Sequence, residues 1–130
     1  MEIYYDQDYV VVYYSAEANA VVMRWKAAST SEEYRAALNV LLAAIEHFKT
    51  GKVIADTTHL GTIHPDDQAW SVTEWTLKAI SAGYSHLAIV LPTEVFTKMS
   101  VEETMGQVTE ILRFSYFEGM DAAIVWIKQQ

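Results

Sequence analysis

Residues 30–57 read TSEEYRAALNVLLAAIEHFKTGKVIADT, and how this stretch divides decides the organisation of the chain around it. Thr30 and Glu33 stand ahead of an apolar-periodic run at the spacing of a capping box. The threonine hydroxyl accepts from the Glu33 amide while the carboxylate reaches back to the cap amide. Tyr34, Leu38, Leu41, Ile45 and Phe48 follow at spacings of four, three, four and three. That places them on one face of a helix, with Ala36, Ala37, Ala43 and Ala44 as strong helix formers between them. Lys49 in the last turn and Gly51 just beyond it predict the stop. Lys52–Thr57 is then apolar, too short for a second helix, and ends in an acid. It reads as a buried central strand, reached through the helix by a crossover.

Working outward, residues 4–14 are Tyr and Val broken only by Asp6, Gln7 and Asp8, a composition that suits a pleated, half-buried surface. Ser15–Asn19 is small and polar, and Ala20–Trp25 resumes the pattern, so the two runs read as an antiparallel hairpin. On the other side, residues 58–64 form a loop with Gly61. Pro65 suits the first turn of a second helix, and Asp66 and Asp67 favour its positive end. That helix carries Trp70, Val72, Trp75, Leu77 and Ile80 and ends near Gly83. Ser85–Leu91 is another buried strand, residues 93–109 a helix over most of their length, Ile111–Phe117 a last strand, and Asp121–Lys128 a short terminal helix. The expected fold is α/β over residues 1–130 as one domain: a single-layer mixed sheet, with an N-terminal antiparallel hairpin leading into parallel strands, packed by helices.

Composition narrows the function. The chain has 130 residues, 52% apolar and 20% charged, with a formal charge of −8 and no cysteine. A globular protein follows from those proportions. So negative a chain lacks the clustered cations that phosphate contacts require, which argues against nucleic acid and anionic membranes. Thiolate metal sites, thiol nucleophiles and disulfides are excluded. No apolar run approaches the length of a membrane span, and the start, MEIYYDQDY, is acidic rather than signal-like, so a cytoplasmic location is expected.

The strand and helix order, together with one local stretch, resembles the STAS-like domains related to bacterial anti-sigma factor antagonists, and through them the lipid-binding Sec14-like domains. In the STAS pattern a strand ends in Asp, a Ser or Thr stands two residues later, and a loop leads to a helix whose start carries a phospho-acceptor serine. Here VIAD ends at Asp56, Thr58 lies two further on, and THLGTIHPDD leads to the helix beginning near Pro65. The closing strand and the short helix with Ala122, Ala123 and Trp126 resemble single-domain members. Asp66 stands where the acceptor serine would, so a permanent carboxylate replaces the switchable one, leaving Thr57, Thr58 and Thr62 as hydroxyl candidates. The resemblance implies a non-enzymatic regulatory or binding module, without cofactor. It would act through a regulatory protein partner or a small ligand near the Asp56–Asp67 loop. The alternative is a Sec14-like carrier of a small apolar or lipid ligand.

The residues themselves weigh the same loop. Asp56, Thr57, Thr58, His59, His64 and Asp66 form the candidate ligand or partner site, since ligands gather beyond the carboxyl ends of parallel strands. His59 and His64 are spaced by five, which matches no zinc signature, so no metal is expected. Neither a nucleophile elbow nor a glycine-rich phosphate loop is present, so a His/Asp enzyme ranks last. His47, near the end of the first helix, and His86, opening a buried strand, read as structural. The tyrosines pose a different question. Alternation along one strand sends Tyr5, Tyr9 and Tyr13 to one face and Tyr4 and Tyr14 to the other. Exposed Tyr on an edge hairpin suits an interface, and a homodimer is the expectation. A segment from Val95 to Met99 with Met105 offers an apolar cleft lining, although helical spacing reads first as core.

Overall fold

The computed structural model describes residues 1–130. The run of Tyr and Val at the N-terminus divides into two strands, β1 (Glu2–Asp6) and β2 (Val10–Ser15), and β3 (Ala20–Trp25) completes an antiparallel meander. The expected single first strand is thus corrected. Residues 7–9 form the turn, closed by the Gln7 amide donating to the Val10 carbonyl at 2.9 Å, because polar residues such as Asp8 compete with the ladder for backbone groups. The second turn places Asn19 in the left-handed region (φ 49°). Its side chain accepts from the Tyr14 hydroxyl at 2.7 Å, and its carbonyl accepts from Thr50 Oγ1 at 2.8 Å.

Helix α1 (Ser31–Phe48) begins with the capping box, both reciprocal bonds present, and buries Tyr34, Ala37, Leu38, Leu41, Ala44 and Ile45. Its end differs from expectation. Lys49, not glycine, adopts the left-handed conformation (φ 54°). Gly51 serves another need: a Cβ there would sit 1.8 Å from the Gly83 carbonyl oxygen, so only glycine lets the two segments pass.

Three parallel strands follow, β4 (Lys52–Asp56), β5 (His86–Val90) and β6 (Arg113–Phe117). The six strands lie in chain order, β1-β2-β3-β4-β5-β6, antiparallel as far as β3 and parallel from β3 onward. Between β4 and β5 runs one continuous helix: α2 (Pro65–Trp70), a π turn (Ser71–Trp75) and α3 (Thr76–Ser81). Between β5 and β6 lies α4 (Val95–Met105), and α5 (Met120–Lys128) follows β6. The fold is therefore α/β, a mixed sheet packed by four helices.

Because each crossover adds its strand on the same side of the last, the connecting helices α1, α2–α3 and α4 share one face of the sheet. Alternation along the strands separates two cores. Val10, Val12, Val21, Met23, Trp25, Val53, Leu87 and Ile89 meet the three connecting helices, while Ala20, Val22, Ile54, Ala88 and Val90 meet Ala123 and Ile127 of α5.

The tyrosine arrangement departs from simple alternation. A bulge between Ile3 and Tyr5 resets the register of β1, so Tyr4 and Tyr5 both turn toward α1. The Tyr4 ring lies 5.6 Å from Phe48, and Tyr5 Oη is 3.4 Å from Tyr9 Oη. Tyr14 stacks on Phe48 at 4.8 Å. Tyr13 packs on the opposite, α5 side. Tyr5, Tyr9 and Tyr13 do not form one face, because the turn at residues 7–9 breaks the strand whose period would have aligned them.

Candidate functional site

The loop leaving β4 folds inward rather than projecting into solvent. The Thr57 amide and its Oγ1 both donate to the Val90 carbonyl, at 3.0 and 2.7 Å, which buries the threonine between the ends of β4 and β5. Asp56 Oδ1 accepts from the Thr58 amide at 3.1 Å and from its hydroxyl at 2.6 Å. Leu60 and Ile63 point into the core. The Ile63 amide donates to Ser100 Oγ at 3.1 Å, and Gln68 Nε2 donates to the Ile63 carbonyl at 3.1 Å. Gly61 takes a positive φ of 79° with Ala28 close against it. The sequential strand order contains no reversal, hence no crevice of the kind that gathers ligands at a switch point. This loop closes the end of the sheet instead.

The six loop residues singled out in the sequence therefore separate. Asp56 and Thr58 are paired with each other. Thr57 is buried, with its hydroxyl engaged by the Val90 carbonyl. His59 is exposed. His64 caps α2, its Nδ1 accepting from the Asp66 amide at 3.1 Å, with Asp66 Oδ2 at 3.9 Å and both side chains in solvent. No three His, Asp or Glu side chains converge anywhere in the chain. The carboxylate that ties two helices together is Asp67, to which the sequence assigns only a charge-matching role. Its Oδ1 accepts from Ser31 Oγ at 2.7 Å and Arg35 Nε at 2.8 Å, and the Arg35 guanidinium lies 5.0 Å from the centre of the Trp70 ring. Burial acts to raise its pKa, but the bonds from Ser31 and Arg35 and the charges of Arg35 and His64 outweigh it and hold the carboxyl below its usual range. This clasp fixes the start of α1 to the start of α2.

Beneath the loop lies a cavity of about 90 Å³ between the sheet and the three connecting helices. Its floor is Met23, Ala55, Leu87 and Ile89, its sides Leu38 and Leu41 of α1 and Val101 and Met105 of α4, and its cover Thr57, Leu60 and Ile63 from the loop. Of the segment from Val95 to Met105, Met105 does line this space. Val95, Phe96 and Met99 instead lie on the exposed side of α4, because the periodicity of that helix turns them outward.

The π turn shapes one wall. The Thr76 amide donates to the Ser71 carbonyl five residues back, and Thr76 Oγ1 donates to the same carbonyl at 2.6 Å. The extra residue shifts the inward face to Gln68, Ser71, Trp75, Thr76 and Ala79, leaving Leu77 53% exposed where uninterrupted periodicity places it inside. Trp75 is held by its Nε1, which donates to the Leu38 carbonyl at 2.6 Å, and its ring meets Tyr84 edge-on at 5.5 Å. π turns recur at functional sites because they re-aim side chains within a helix.

Two tyrosines bring hydroxyls into this interior. Tyr34 lies near Ser71, and burial pushes its pKa up to about 12. Tyr84 is raised further, by burial and then by the neighbouring Tyr34. Both phenols are therefore neutral hydrogen-bonding groups at physiological pH. Neither was singled out in the sequence as a site residue. The spacing along α1 marks Tyr34 as helix core, and the only local signal for Tyr84 is a large aromatic between Gly83 and a buried strand.

Fold and site together define an α/β protein with one mixed sheet in sequential order and an apolar, aromatic-walled cavity beneath its connecting helices. Comparison with protein-family models, with curated proteins and with solved structures finds no match for this chain.

Proposed function

We propose that this chain is a non-enzymatic binding module of the STAS-like kind, whose ligand is a small apolar molecule held between the sheet and its helices. The observation that carries the reading is the apolar cavity of about 90 Å³, which Thr57, Leu60 and Ile63 of the Asp56–Asp67 loop help to cover. Ligand sites are mostly apolar and largely pre-formed, with a few placed polar groups, and this one has that composition. Occupancy would be felt first by the loop and by α4, the helix packed least closely against the rest, so a small ligand can alter the outer surface offered to a partner. The STAS-like reading is supported by the alternation of strand and helix after β3. It is also supported by the bonded Asp56–Thr58 pair at the end of a central strand and by Asp66 in the first turn of the next helix. The additional strand β1 is a departure from the expected order.

The test is organic extraction of freshly purified protein followed by mass spectrometry, paired with thermal-shift assays against ring-sized apolar compounds. A small neutral compound in stoichiometric amount, or stabilisation by such compounds, is expected. An empty protein that none of them stabilises would overturn the reading.

A second reading, self-association through the sheet edge, is favoured by β1, the outermost strand, where Ile3 is 55% and Tyr4 38% exposed. Unpaired strand edges with apolar side chains invite pairing. Light scattering at high micromolar concentration tests it, and a strictly monomeric mass would remove it.

A further inference from the structure

The polar groups around the cavity are not equivalent. The hydroxyls of Thr57, Ser71, Thr76 and Thr104 each donate to a backbone carbonyl, at 2.7, 2.9, 2.6 and 2.7 Å. The Tyr84 hydroxyl donates to no backbone or side-chain group, although its residue is only 5% exposed. No buried side-chain oxygen or nitrogen is sealed in without a partner. The Tyr84 oxygen therefore keeps some accessible area, and its side chain is one of those that line the cavity. Buried tyrosine hydroxyls normally find a partner, and leaving one unpaired carries a desolvation penalty. Here the missing partner is a site for one.

We infer that the cavity takes a neutral, ring-sized, mainly apolar ligand carrying one hydrogen-bonding oxygen, and that Tyr84 is the specificity-determining residue that pairs with that oxygen. The inference rests on the reading of the cavity as a ligand site. Size follows from volume: about 90 Å³ is less than the roughly 150 Å³ apolar cavity that admits benzene, so one small ring is the upper bound. Neutrality follows from the lining, which includes no Lys, Arg, His, Asp or Glu, because an unpaired charge buried there would lose its hydration without compensation. The oxygen follows from the unpaired hydroxyl of Tyr84, the more buried of the two tyrosines that line the cavity; the Tyr34 hydroxyl, which also makes no hydrogen bond, lies at its side. The rigid aromatic wall of Trp75, fixed by its bond to Leu38, provides the face against which a planar ring packs.

Phenol, benzene and fluorobenzene are the probes, titrated into the full chain and followed by amide and indole NMR shifts, with the Trp75 indole N–H as reporter. Phenol is expected to bind about five- to tenfold more tightly than benzene or fluorobenzene, the value of one well-formed hydrogen bond. Tyr84→Phe is expected to remove that preference while leaving benzene affinity within about twofold. If all three bind wild-type protein equally, or if phenol keeps its advantage in a folded Tyr84→Phe variant, the assignment of Tyr84 is overturned while the cavity stands as a ligand site. If none binds at millimolar concentration, the cavity admits no small ring, and both readings fall. The phenol–fluorobenzene comparison needs no variant, so a poorly folded Tyr84→Phe chain leaves the test intact.

Discussion

The two faces of the sheet are covered in different ways. Under α5 the fully buried contacts are small residues, Ala18, Ala20, Ala88 and Ala123, with Val22, Ile54, Val90 and Ile127 filling between them, and the aromatics Tyr13, Phe117 and Trp126 stay at its partly exposed margin. Alanines let a helix approach a sheet closely, and α5 lies directly on β4 and β5. Under α1, the π-turn helix and α4 the contacts include Trp25, Tyr34, Trp75 and Tyr84. Rigid rings of that size interlock less readily than short aliphatic side chains, and the cavity lies among them. Interiors otherwise pack to crystal-like density. A void therefore follows from a choice of large aromatics on one face and small aliphatics on the other.

Ile127→Ala breaks the comparison most directly. Ile127 is fully buried at the centre of the α5 face, and its truncation is expected to cost about 2–5 kcal/mol, measured by urea denaturation. A loss under about 1 kcal/mol would mean that this face is loosely packed after all.

Opposite signs are expected from enlarging an alanine on each face. Ala123→Leu, in the tight layer, is expected to destabilise by about 1–3 kcal/mol through overpacking. Ala55→Val, bordering the cavity, is expected to stabilise by about 0.5–1 kcal/mol as a filling substitution and to weaken benzene binding. Equal destabilisation by both would show that the cavity wall does not yield to an added methyl group.

The smallest effects separate the faces by pH. His86, on the α5 side near Trp126, has its pKa lowered by burial and then by Arg113 and Lys52. The folded chain thus binds fewer protons there than the unfolded chain. Its contribution is full above about pH 6.5 and declines as pH falls below that value. Asp67, on the cavity side, also has a lowered pKa, but its contribution is full above about pH 3.9 and is lost only in stronger acid. Melting temperatures taken from pH 7 to pH 3 should show an early decline that His86→Gln flattens and a later one that Asp67→Asn removes. A profile without the early decline would dissociate His86 from the stability of the α5 face.

Much of the layout was legible beforehand because its signals are local. The capping box at Thr30 and Glu33, the four-three spacing along α1, Pro65 at a helix start and the short apolar runs of β4 and β5 each express a backbone preference acting within a few residues. The division of residues 4–14 is hidden because Tyr9, itself part of the turn at residues 7–9, continues the aromatic pattern. The inward face of the second helix was missed because a π turn leaves no periodic trace. For the site, the loop after Asp56 was correctly placed at the end of a central strand. Its direction was not, since Leu60 and Ile63 turn inward only where a core is present to receive them.

By itself, then, the sequence determined the α/β class, the element order from β3 onward, the cap that starts α1, the start of α2 at Pro65, and a net charge of −8. Those properties reside in neighbouring residues and in sums over composition. Tertiary structure alone decided that Tyr4 and Tyr5 share a face, that Asp67 rather than Asp56 or Asp66 clasps two helices, and that a cavity lies beneath them with the Tyr84 hydroxyl at its edge. An empty volume is a property of how non-neighbouring side chains fail to fill the space between elements, and no local pattern encodes it.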